Sequence, residues 1–176
     1  MDVDADGCLF TGGIASLEGG QSLYVHCGND VLIAINTSSA DVEAHRMDVA
    51  RIDELGDTQD YEKTFFECGG ELFVVILYFQ WCFGACVNAE VHKLDLSELE
   101  WERVDSIGSD RAFFVGSKGF AYVVSNAAGV KGDCIYFTQL WYDGMRLYRF
   151  RLDERSFSHK LICPNLHVNW DRSCVY

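Results

Sequence analysis

Apolar and polar residues alternate with a period of two along nearly the whole chain, in short runs. Successive side chains of a strand point to opposite faces, so this pattern predicts half-buried strands rather than helices. SLYVH (22–26) and DVLIAIN (30–36) flank Cys27-Gly28-Asn29, and KTFFE (63–67) and ELFVVILYF (71–79) flank Cys68-Gly69-Gly70. Gly and Asn accept positive φ, so both pairs read as hairpins. The same style predicts strands at 89–96, 101–107, 110–116, 120–125, 133–139, 145–152 and 156–162. Only 40–55 admits a helix. Its apolar residues (Val42, Met47, Val49, Ile52, Leu55) fit a short helix and a strand equally. Turn signals recur about every eight to twelve residues, which argues for an all-β sandwich, barrel or propeller.

An internal echo favours the propeller. KLDLSELEWERV (93–104) aligns with RFRLDERSFSHKL (149–161) at an offset of 56, matching Leu96 with Leu152, Ser97 with Asp153 and Trp101 with Phe157. Each copy reads as strand, acidic turn, aromatic, strand, and each follows a strongly apolar strand (LFVVILYF, CIYFTQLW). A repeat of this size with an apolar inner strand and a hairpin is the pattern of propeller blades, which bury their faces only by stacking on neighbours. The expected fold is all-β, a partial propeller of about three antiparallel blades. Residues 1–20 are expected to be an acidic, flexible N-terminal stretch and 21–176 the propeller-like domain.

Charge excludes some partners. The net charge is −13, and residues 1–60 carry twelve acids against Arg46 and Arg51. Such a surface repels a phosphate backbone, so no nucleic-acid partner is expected. The acidic bias serves solubility or docks a basic partner. The start, MDVDADG, lacks the apolar run of a secretory signal, and LFVVILYFQWCF is too short to span a bilayer. A cytoplasmic or nuclear location without membrane contact is expected, with the eight cysteines reduced and the NTS triplet at Asn36 a chance sequon.

Chemical motifs are scarce. The chain has no GxSxG, HExxH or phosphate loop, and its five histidines are scattered. His26 and Cys27 are adjacent in a strand and so point to opposite faces, which argues against a dyad. Cys82 and Cys86 form a CxxxC without a second pair, and a buried pair of thiols is the simpler reading than zinc. DVDADG (2–7) begins like a calcium loop but has Gly13 where the loop needs Glu. No enzyme activity, catalytic residue, cofactor or metal is expected.

The densest aromatic stretch, residues 132–157, has two readings. Ile135 and Phe137 alternate with Cys134, Tyr136 and Thr138, and Tyr148, Phe150 and Leu152 alternate with Leu147, Arg149 and Arg151, as blade packing requires. Trp141, Tyr142 and Asp143, in the connecting loop, are the candidate partner-binding residues, because loops carry function on rigid scaffolds. Residues 139–144, 84–88 and 125–131 are the candidate partner-binding loops.

WERVDSIGSDRAFFVG (101–116) and GDCIYFT (132–138) carry a family resemblance. With CGGELFVVIL and VHKLDLSELE, they resemble the F-box-associated domain of plant F-box proteins, also described as a kinase-inhibitor-type β-propeller. The resemblance is best over 65–165; SLYVHCGNDVLIAI matches more weakly, as a preceding blade. It implies the substrate-recognition propeller of an SCF-type ubiquitin ligase, with a shaggy-type kinase as a possible target. The chain shows no leucine-rich helices of an F-box and about half the expected propeller length, so it reads as truncated and a Skp-type adaptor is not expected. The expected function is a non-enzymatic protein-interaction module. The alternatives are a degenerate fragment with exposed strand edges, or a small all-β enzyme with an unrecognised site.

Overall fold

Among the described residues, thirteen strands form three sheets. The computed structural model describes residues 14–16, 22–27, 31–37, 42–52, 60–80, 84–116, 120–125 and 129–164. The first sheet is a meander of β1 (Ile14–Ser16), β2 (Ser22–Cys27), β3 (Val31–Asn36) and β4 (Glu43–Asp48). The second repeats it with β5 (Asp60–Cys68), β6 (Glu71–Phe79), β7 (Cys86–Asp95) and β8 (Glu100–Val104). The third holds β9 (Arg111–Gly116), β10 (Phe120–Ser125), β11 (Cys134–Trp141), β12 (Gly144–Arg151) and β13 (Ser156–Pro164), in the order β10-β9-β11-β12-β13. β5 touches both β1 and β10, so the inner edges of the three sheets gather together. This is a partial β-propeller: three stacked sheets, where closed propellers use four to eight.

Two continuous cores join the sheets. Phe66, Phe73, Val75, Leu77 and Val91 of the second sheet pack on Phe113, Ile135, Phe137, Tyr148 and Phe150 of the third. Leu72, Phe65, Leu94 and the half-buried Trp101, on the opposite face, pack on Leu32, Tyr24, Met47 and Val49 of the first. The second sheet is therefore buried on both faces, which explains the unbroken apolar run of β6.

The expected echo is present in the backbone. β7 ends at Asp95 and β12 at Arg151, β8 begins at Glu100 and β13 at Ser156, all offset by 56. Leu99 and Arg155, at matching places in the two turns, both take positive φ, 58° and 49°. An aspartate holds each turn. Asp95 Oδ1 accepts the Ser97 and Glu98 amides (2.8 and 3.3 Å), and Asp153 Oδ1 accepts the Glu154 amide (2.8 Å). Trp101 and Phe157, matched in sequence, each face the preceding sheet.

Some boundaries move. The strand expected at 101–107 stops at Val104, because Ile107 turns inward to the core and its amide donates to Asp133 Oδ1 at 2.8 Å. Within 40–55, Glu43–Asp48 is a strand. Cys82, residues 2–7 and 117–119 lie outside the described residues, as does all of 1–20 except β1.

The two segments that carry the family resemblance meet in space. The Asp133 amide donates to Gly108 O (3.1 Å) and Arg111 O (2.7 Å), and its carbonyl accepts the Leu152 amide (3.2 Å). A Cβ on Gly132 would lie 1.8 Å from the Ser109 carbonyl oxygen, so only glycine fits there. The Gly-Asp-Cys sequence staples the turn before β9 to the start of β11, and so sets the parallel β9–β11 pairing (Ala112 beside Cys134). These residues hold the fold.

Candidate interaction surface

β11 and β12 pair in register to the end, with Trp141 opposite Gly144, leaving Tyr142 and Asp143 as a two-residue turn. Gly144 takes φ 132°, and a Cβ there would lie 2.2 Å from the Cys163 carbonyl oxygen, so the turn depends on glycine. Arg146 fixes both flanks of the tip. Its guanidinium lies 5.2 Å over the Trp141 ring and 2.7 Å from Asp143 Oδ2. The Asp143 carboxylate in turn holds the guanidinium above its ordinary pKa. Trp141 also packs on the core between the second and third sheets. Of the three predicted site residues, Tyr142 is thus the one that projects, at 84% exposure.

Gln139 Nε2 donates to the Gly84 carbonyl at 2.7 Å. This bond joins two of the candidate loops, 139–144 and 84–88, into one surface. Of the third, the described residues 129–131 precede β11 whereas the tip follows it, and Lys131 N donates to Tyr136 OH at 3.0 Å. Among the described residues, the buried polar atoms Gln139 Oε1, Trp141 Nε1 and Asp143 Oδ1 have no hydrogen-bond partner. Buried polar groups are normally satisfied, so these three atoms leave bonding capacity open at the tip.

A second cluster escaped the sequence reading. On the face of the second sheet turned to the first, Glu90 and His92 have side chains only 8% exposed. Glu90 Oε2 accepts from Tyr78 OH (3.2 Å) and meets His92 Nε2 (3.3 Å). Its Oε1 pairs with Arg103 at 3.1 Å and, more weakly, with Arg155 at 3.9 Å. Arg155 comes from the third sheet and donates to Asn88 Oδ1 at 3.0 Å. It can do so because β8 covers β7 only from Val91 to Asp95. Burial lowers the pKa of His92, with Arg103 and Lys63 adding to that and the hydrogen bond and charge of Glu90 opposing it. The available signal was the register break in AEVHKLDL: Leu94 shares a face with His92 and Glu90, so that face is buried.

His26 leans on Phe65 (5.7 Å between rings) while Cys27 is buried in a different cluster, as their alternation predicts. Burial pushes the Cys86 thiol up to about 12, leaving it protonated and unreactive. Among the described residues no three His, Cys, Asp or Glu side chains could hold a metal ion, and no helix is long and apolar enough to cross a membrane.

Neither curated proteins nor solved structures give a match to this chain. A family model does, over residues 7–167, which takes in all three sheets, including the first, where the sequence resemblance is weaker. With three stacked sheets, an echoed hairpin and that match across most of its length, the chain belongs to the KIB1-4 beta-propeller family.

Proposed function

We propose that this chain is a non-enzymatic protein-interaction module that engages its partner through the joined ends of the second and third sheets, with Tyr142 as the anchor. One observation carries the reading: an aromatic side chain 84% exposed on a tip whose flanks are fixed by Arg146 and whose base is tied to Gly84. Exposed aromatics on preordered tips make strong anchors, because little conformational entropy remains to be lost on binding. The propeller family supports a binding role. The finer assignment, recognition of a ubiquitin-ligase substrate such as a shaggy-type kinase, rests on the sequence resemblance of residues 101–116 and 132–138.

The test is calorimetric titration of the full chain with a shaggy-type kinase. Tyr142→Ala is expected to weaken binding by about 2 kcal/mol or more, the range of an anchor residue. It should shift stability by no more than about 0.5 kcal/mol, as for an exposed side chain. Unchanged binding by the variant would remove Tyr142 from the site.

A further inference from the structure

The outer edges of the three sheets differ in one respect that bears on binding. β4 carries Glu43 and Asp48, and β8 carries Glu100 and Glu102. β13 is longer, nine residues, and holds no acid; its one charged residue is Lys160. Among the described residues it has a neighbour only on its β12 side. Its register with β12 is regular from Ser156 to Leu161, with a bulge only beyond, between Met145 and Arg146. Leu161 and Ile162 are 40% and 46% exposed. A long, regular strand edge without acids is a template for a further strand.

Charge selects the occupant. Within a chain of net charge −13, residues 144–164 hold five bases (Arg146, Arg149, Arg151, Arg155, Lys160) and two acids (Asp153, Glu154), a net of +3. Three of the arginines already face Asp143, Asp153, Glu154 or Glu90. Arg149 and Lys160 form no ion pair among the described residues, and the buried Arg149 Nε has no hydrogen-bond partner. Both lie on one face of the sheet, since Lys160 pairs with Leu147, two residues before Arg149. The opposite face presents Phe157, His159 and Leu161.

We propose that β13 binds an extended acidic segment of a partner protein by strand addition, with alternate acidic side chains beside Lys160 and apolar ones beside Leu161 and Phe157. This rests on the interaction-module reading but uses a different part of the third sheet. Gly144 pairs with Pro164, so the far end of the added strand would approach the Tyr142 tip.

The experiment titrates the full chain with labelled peptides about nine residues long, the length of β13. The probes are an alternating Val-Glu peptide, the same peptide N-methylated at every second residue, and its Val-Lys counterpart. The Val-Glu peptide is expected to bind and to slow amide exchange over Ser156–Leu161. N-methylation or the Val-Lys sequence should weaken binding about tenfold or more, because main-chain hydrogen bonds supply the affinity and charge the choice. Lys160→Glu, at an exposed position, should weaken it about three- to tenfold, the size of one surface charge reversal. Absence of binding, equal binding of the methylated or lysine peptide, or indifference to Lys160→Glu overturns the proposal. A dimer by light scattering, with Ser156–Leu161 protected before peptide is added, also overturns it and assigns the edge to a second copy. Peptide binding lost in Tyr142→Ala but kept in Lys160→Glu places the site at the tip and leaves the Tyr142 reading standing.

Discussion

The two seams between sheets are built at equivalent positions from different chemistry. Through the 56-residue offset and the strand pairing, Tyr78, Glu90, His92 and Arg103 in the second sheet correspond to Trp141, Arg146, Tyr148 and His159 in the third. The seam between second and third sheets is aromatic. Phe113 meets Phe66 edge-on at 4.8 Å, Phe137 stacks on Tyr148 at 5.1 Å, and Phe150 lies 4.6 Å from Phe157. The seam between first and second sheets has a mainly aliphatic core of Leu32, Leu72 and Leu94 with one ring pair, Phe65 and Trp101, and the Glu90 cluster beside it. The third sheet keeps its one cation of this set, Arg146, at the tip, and so frees the seam for rings. One scaffold position thus serves as core in one seam and as a buried charge network in the next.

This contrast predicts where the molecule is strongest. Phe113, of the third sheet, is fully buried and touches two rings of the second, Phe66 and Phe73. Phe113→Ala should cost about 3–5 kcal/mol, the usual penalty for emptying such a site, read as the shift in urea unfolding followed by tryptophan fluorescence. A loss no larger than that of a surface substitution would mean that the second and third sheets are not held together there.

Glu90→Ala should cost less, about 1–3 kcal/mol, because it removes one buried carboxylate that bonds the Tyr78 hydroxyl and His92, while the half-exposed Arg103 turns to water. If Glu90→Ala proves as costly as Phe113→Ala, the charged seam is as strong as the aromatic one, and the comparison fails.

The smallest effect is a pH dependence. His92 in the folded chain sits below its ordinary value of 6.5. As pH falls, the unfolded chain takes up this proton first, so the contribution of His92 is complete above 6.5 and declines below it until the folded imidazole also protonates. The slope from one proton is at most about 1.4 kcal/mol per pH unit. His92→Phe should therefore flatten the fall in unfolding midpoint as pH drops below 6.5. An identical slope in the variant would assign the acid sensitivity to another group.

What could be read from the chain was local. The hairpins at 22–36 and 63–79, the echoed turns and the division of residues 134–152 between two sheet faces all follow from alternation and turn residues. The loop reading placed Trp141, Tyr142 and Asp143 together but could not show that Trp141 is held under Arg146 and against the core. The Glu90 cluster was hidden because alternation marks polar positions as solvent-facing, and that fails on a sheet covered on both sides. Only its own register break, at Leu94, gave it away.

The sequence by itself determined strands, turns and the blade repeat, because each depends on residues within a few positions of one another. Tertiary structure decided the rest. The parallel pairing of β9 with β11 depends on Asp133 reaching Gly108 and Ile107, and the clasp of Arg155 on Asn88 spans 67 residues. Period-two alternation fixes which face a side chain takes, but not which strand or sheet lies against that face.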